Sequence, residues 1–92
     1  MMIQLPSGSY KNISATGNVT TTAGYMTGFY VNNTSTGVIV FRDGGSSGTV
    51  IDGQITPAIG WHFYPVGYPK GILHMTLVSG SIDITVIFNP TS

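Results

Sequence analysis

The 92-residue chain has no cysteine and no glutamate, and only 7% of its residues are charged. An ordinary soluble domain holds about 25% Asp, Glu, Lys and Arg, so the residues that usually carry chemistry are scarce. Without cysteine there is no disulfide framework, no thiolate metal site and no thiol nucleophile. Three bases balance three acids to a formal net charge of zero. That leaves no basic patch to neutralise phosphates, and nucleic-acid binding is not expected. Uninterrupted apolar runs are short, far below the ~18 residues of a membrane-spanning helix. Met1-Met2-Ile3-Gln4-Leu5 lacks a basic start and Pro6 cuts it off, so neither a signal peptide nor a membrane partner is expected. The expected site of synthesis is the cytoplasm.

What the chain does have is 41% hydrophobic residues and 13 glycines, enough for one small core and a series of tight turns. The length fits a single domain. Residues 24–31, 38–42, 48–56, 58–64, 71–78 and 81–88 read as strands, and 10–22 supplies one or two more. Turn formers fill 32–37, 43–47, 65–70 and 79–80. No stretch holds a 3.6-residue period, so no helix is expected. The fold class is all-β, a small antiparallel β-sandwich or jelly roll of about seven or eight strands. Residues 1–12 have no clear period and are either an arm ordered by a neighbour or a flexible end.

Alternation assigns faces. Leu73, Met75 and Leu77 form one apolar row; Ile82, Ile84, Val86 and Phe88 form another. If Ser79-Gly80 is a two-residue hairpin turn, Leu77 faces Ile82, Met75 faces Ile84 and Leu73 faces Val86. The outward rows then set Ile72 opposite Ile87, with Val78 nearby, as a candidate contact patch. Ile59, Trp61 and Phe63 share a phase that predicts the core. Tyr64 and Tyr68, flanking Pro65 and Pro69, are expected to face outward and touch something else. Tyr64, Tyr68, Ile72, Val78 and Ile87 are thus the candidate interface residues.

The search for chemistry finds little. Acid–base catalysis needs a positioned carboxylate or histidine pair, and the acids are only Asp43, Asp52 and Asp83. Asp43 in Asp43-Gly44-Gly45 reads as a turn residue, and Asp52 as an outward strand position. The hairpin register brings Asp83 diagonal to His74, a surface polar pair with no nucleophile beside it. His62 and His74 lack a third ligand at metal-site spacing. Gly44-Gly45-Ser46-Ser47-Gly48 lacks the Gly-Lys-Ser/Thr ending of a phosphate loop. Four Asn-X-Ser/Thr matches mean little in a Ser/Thr-rich chain with no secretion signal. No catalytic, cofactor or metal residue is predicted.

Gly28-Phe29-Tyr30-Val31, then Gly37-Val38-Ile39-Val40-Phe41-Arg42-Asp43-Gly44, resemble the small structural proteins of tailed phages. The resemblance runs through Gly48-Thr49-Val50-Ile51, Tyr64-Pro65, Gly71-Ile72-Leu73 and Ile84-Thr85-Val86-Ile87-Phe88, covering residues 24–88. Such proteins are compact β-sandwiches on virions, among them capsid cement or decoration proteins. The resemblance implies a non-enzymatic virion protein on the capsid surface that binds across major capsid protein subunits. It also implies a homo-oligomer, a trimer rather than a dimer, and no cofactor. The alternative is a carbohydrate- or receptor-binding module of a tail or fibre, using Tyr64, Tyr68 and Trp61.

Overall fold

Short alternating segments punctuated by glycine fold into eight strands in the computed structural model, which describes residues 9–33 and 36–90. They are β1 (Ser9–Ile13), β2 (Gly17–Thr20), β3 (Gly24–Val31), β4 (Val38–Asp43), β5 (Thr49–Val50), β6 (Gly60–Tyr68), β7 (Leu73–Ser79) and β8 (Ile84–Pro90). Antiparallel ladders join them into sheet A, ordered β1-β8-β3-β6, and sheet B, ordered β2-β7-β4-β5. Every connection except β4–β5 passes from one sheet to the other, the winding of a jelly roll. The arm considered for residues 1–12 falls largely on 1–8, outside the described residues; from Ser9 onward the chain belongs to β1.

The core lies between the layers. Met26, Phe29, Val31, Ile84 and Val86 from sheet A meet Ile39, Phe41, Leu73 and Met75 from sheet B, all essentially excluded from water. Phe29 and Phe41 touch across the layers with ring centroids 5.3 Å apart. Each such side chain stabilises the fold by about 1.5–3 kcal/mol through burial. In β3 the two-residue period breaks: the pairing register shifts between Met26 and Gly28 against both β6 and β8. This bulge keeps Met26 and Phe29, three residues apart, pointing into one core.

The proposed β7–β8 hairpin is not formed. β7 pairs with β2 and β4 in sheet B, while β8 pairs with β1 and β3 in sheet A. Leu73 and Met75 do face Ile84 and Val86, but across the sandwich rather than along a ladder. Leu77 is only half buried, packed against the core's edge. At the crossing, Gly80 has φ +75°, and a Cβ there would run into the Thr36 carbonyl, so the chain turns out of sheet B instead of folding back on it. Ile72 and Ile87 therefore lie on different sheets, and no Ile72–Ile87 patch exists.

The strand expected at 48–56 is only Thr49–Val50. Residues 51–55 still run beside β4, held by Ile51 N–H to Phe41 O (2.9 Å) and by reciprocal bonds between Ile39 and Ile55 (2.9 and 3.0 Å). The turn expected from Pro65 is instead the continuation of β6. β6 is an edge strand whose register shifts beside Pro65, so the missing proline N–H breaks no ladder bond that the sheet requires.

Candidate binding face and lateral pocket

Sheet A presents its outer face as two rows that cross all four strands. Pairing aligns Tyr10, Ile87, Gly28 and Phe63 in one row, and Asn12, Thr85, Tyr30 and Trp61 in the next. Tyr25 lies beyond them, opposite Asn89 and Gly67. Five aromatic side chains stand exposed here: Tyr10 at 75%, Phe63 at 70%, and Tyr25, Tyr30 and Trp61 each near half. Trp61 lies over Gly28: its Cη2 and Cζ2 are 2.9 Å from the point a Cβ would occupy. A glycine here lets the indole rest flat on the sheet.

The phase expected for β6 is inverted. Ile59, Trp61 and Phe63 are exposed, while His62, Tyr64, Val66 and Tyr68 turn inward. The inward row is longer and ends in Tyr68, which is fully buried and closes the core. Tyr68 is accordingly not an outward contact residue. Its hydroxyl has no hydrogen-bond partner, and burial raises its pKa above the ordinary value. His62 faces inward because its Nε2 meets Ala58 O at 2.7 Å and its ring stacks on Phe29 at 5.0 Å.

The remaining candidates disperse. Tyr64 is half buried beside Phe29 and Phe41. Ile87 is half buried in the middle of the aromatic row, and Val78 is exposed on the outer face of sheet B. Ile72 is half buried outside the strands, its carbonyl accepting Gly44 N–H. Asp83 does not meet His74. Its carboxylate accepts Nδ2 of Asn12 (2.8 Å), Asn32 (3.1 Å) and Asn33 (3.3 Å), and these bonds, Asn12 and Asn32 foremost, hold its pKa below the usual value. Asp43 is a buried turn residue that accepts Lys70 N–H at 3.1 Å. No group of three His, Cys, Asp or Glu that would hold a metal occurs among the described residues.

His74 sits between β2 and β4, opposite Asn18 and Arg42. Nδ1 meets Asn18 Oδ1 at 2.9 Å, so the imidazole donates there, and the buried Nε2 is left unpartnered. Burial, then the Arg42 charge, pushes its pKa below 6.5. The unfolded chain therefore takes up a proton first as the pH falls through about 6.5, and stability declines from there until folded His74 itself protonates. Thermal melts from pH 8 to 5 are expected to show this decline, and His74→Gln is expected to flatten it. An equal slope in the variant would assign the acid sensitivity elsewhere.

A pocket of about 240 Å³ opens between the two layers at the β6 edge, where β5 is too short to close the sandwich. Phe29, Asp52, Ile55, His62, Phe63 and Tyr64 line it. Asp52, expected as an outward strand residue, instead turns in: Oδ1 accepts Phe41 N–H at 3.1 Å, and Oδ2 is buried without a hydrogen-bond partner. Burial raises the Asp52 pKa above 3.8, partly offset by hydrogen bonds from the Phe41 amide, its own amide and the Tyr64 hydroxyl. Burial, and secondarily the Asp52 charge, raises the pKa of Tyr64. The hydroxyl thus lies near enough to act on the carboxylate while leaving Oδ2 short of a well-formed bond.

Of this site, sequence reading found Tyr64 and Ile87, and named Trp61 only in the alternative reading. It missed Tyr10, Tyr25, Tyr30, Phe63 and the inward turn of Asp52. The available signal was the second row of β6, where Tyr64, Val66 and Tyr68 continue the inward pattern past Pro65. Against known proteins, the chain matches no family model, no curated protein and no solved structure.

Proposed function

We propose that this protein is a non-catalytic assembly module that docks the outer face of sheet A onto another protein, as a cement subunit on a virion shell. The observation that carries this reading is the exposed aromatic double row of Tyr10, Tyr30, Trp61 and Phe63 around Ile87. Tyr and Trp supply large contact area at low entropic cost and dominate interface hot spots. A face nearly free of charge also carries little of the desolvation cost that ionic groups bring to a contact. Four strands at ~4.8 Å and ~26 Å of length give a face of about 500 Å² in plan, below the ~800 Å² per partner of a standard interface. One copy alone then binds weakly, and repeated copies on a lattice of major capsid protein, or a closed homotrimer, supply avidity.

Cosedimentation with assembled shells tests the reading. Tyr30→Ala together with Trp61→Ala is expected to weaken binding at least ~30-fold, the equivalent of one hot spot of about 2 kcal/mol. Wild-type binding by the folded double variant would overturn it. A carbohydrate-binding tail module is the second reading, favoured by the Asn12, Asn32 and Thr85 side chains beside Tyr30 and Trp61. Saturable glycan binding with no shell binding would decide for it.

A further inference from the structure

We infer that the lateral pocket beside β6 receives the cationic head of an arginine or lysine side chain from the protein that covers sheet A. The inference rests on the docking reading above and adds a second, polar point of attachment to it. Phe63 belongs to both features: it is the most exposed residue of β6 on the outer face and part of the pocket wall. A partner lying on the aromatic rows therefore reaches the pocket by passing around a single edge strand.

The lining selects the charge. Asp52 is the only acid there, and no Lys or Arg lines the cavity. Oδ1 is satisfied by the Phe41 amide, whereas Oδ2 has no hydrogen-bond partner. A buried carboxylate left without a counter-charge is costly, and a cation offsets that cost. Phe29, Phe63 and Tyr64 supply ring faces or edges around the same space, and aromatic faces attract ammonium and guanidinium groups. The Tyr64 hydroxyl, placed beside the carboxylate, donates toward Asp52 and keeps its oxygen lone pairs for a donor entering from outside. A neutral apolar group gains the ring contacts but leaves Oδ2 as it is. An anion is repelled.

Size agrees with this choice. About 240 Å³ is less than the roughly 300–1,000 Å³ of sites for drug-sized ligands, and it accommodates one side-chain head rather than a multi-ring molecule. A lone head group in so open a site binds weakly, in the millimolar range. Its contribution appears when the aromatic face is also engaged.

The test uses the whole chain and defined probes. L-arginine amide is titrated into labelled protein and followed by backbone amide NMR, with citrulline amide as the uncharged arm and methyl glucoside as the sugar arm. Saturable shifts are expected at Asp52, His62, Phe63 and Tyr64 with arginine amide only. Asp52→Asn, which keeps an acceptor for the Phe41 amide, is expected to weaken that binding at least tenfold while the thermal melt shows a folded protein. Tyr64→Phe is expected to weaken it less. Absence of saturable shifts, equal shifts with citrulline amide, preference for the sugar, or unchanged affinity in folded Asp52→Asn would each overturn the assignment. The two readings fail separately: loss of shell binding in the Tyr30/Trp61 variant with no arginine response leaves docking standing and removes the pocket from it.

Discussion

Phe29→Ala is expected to lower the unfolding free energy by about 3–5 kcal/mol, the range for truncating a buried phenylalanine, whereas Phe63→Ala is expected to change it by about 0.5 kcal/mol or less, as at ordinary surface positions. Phe29 is 2% exposed and touches Phe41, His62 and Tyr64. Truncation leaves a void in the middle of the core that β-strands on both sides cannot collapse to fill. Phe63, 70% exposed, leaves no such void. Domains hold only about 5–15 kcal/mol in total, so the first variant approaches the limit of folding. Urea unfolding followed by circular dichroism measures both. Equal costs would mean that the two faces of β6 are interchanged.

Gly28→Val is expected to damage fold and binding together. A Cβ at Gly28 would collide with the His62 carbonyl and with the Trp61 indole at 2.9 Å. The carbonyl is backbone in the β3–β6 ladder and cannot swing aside, so the strands must part. Forced overpacking typically costs about 1–3 kcal/mol, and this contact is tighter than most. The displaced indole also removes one ring from the docking face. Trp61 is the only tryptophan, so its fluorescence reports the displacement directly while urea melts report the stability. A variant with unchanged melt and unchanged emission would show that the indole does not rest on Gly28.

These two variants mark where sequence reading succeeded and where it stopped. β3 was legible as 24–31 because its glycine start and aromatic–aliphatic content leave no other reading. Its bulge was not, since a local slip in register changes no residue type, and only Gly28 hinted that something approaches closely. The β7–β8 rows were identified as inward, yet alternation cannot say whether two apolar rows meet along a hairpin or across a sandwich. Both arrangements bury Leu73, Met75, Ile84 and Val86. The β6 phase failed for a different reason. Trp61 and Phe63 outrank His62 and Tyr64 in apolar area, but Tyr68 fixes the strand's orientation from its far end. Asp52 was misread because its inward turn depends on bonding the Phe41 amide, eleven residues away, and that contact exists only once residues 51–55 lie along β4.

The irregularity of β6 at Pro65 bears on how copies of this chain meet. With zero net charge, copies do not hold one another apart by repulsion, and open sheet edges invite strand-to-strand growth into fibres. Sheet A ends on β6, whose free edge carries a proline without an N–H, and sheet B ends on a two-residue strand. Neither edge offers a long uninterrupted row of donors and acceptors. Self-association is thereby steered from edges to faces, where flat surfaces pair in a fixed number of copies rather than propagate. A protein with so little charge can reach high local concentration beside its own kind and still form assemblies that stop.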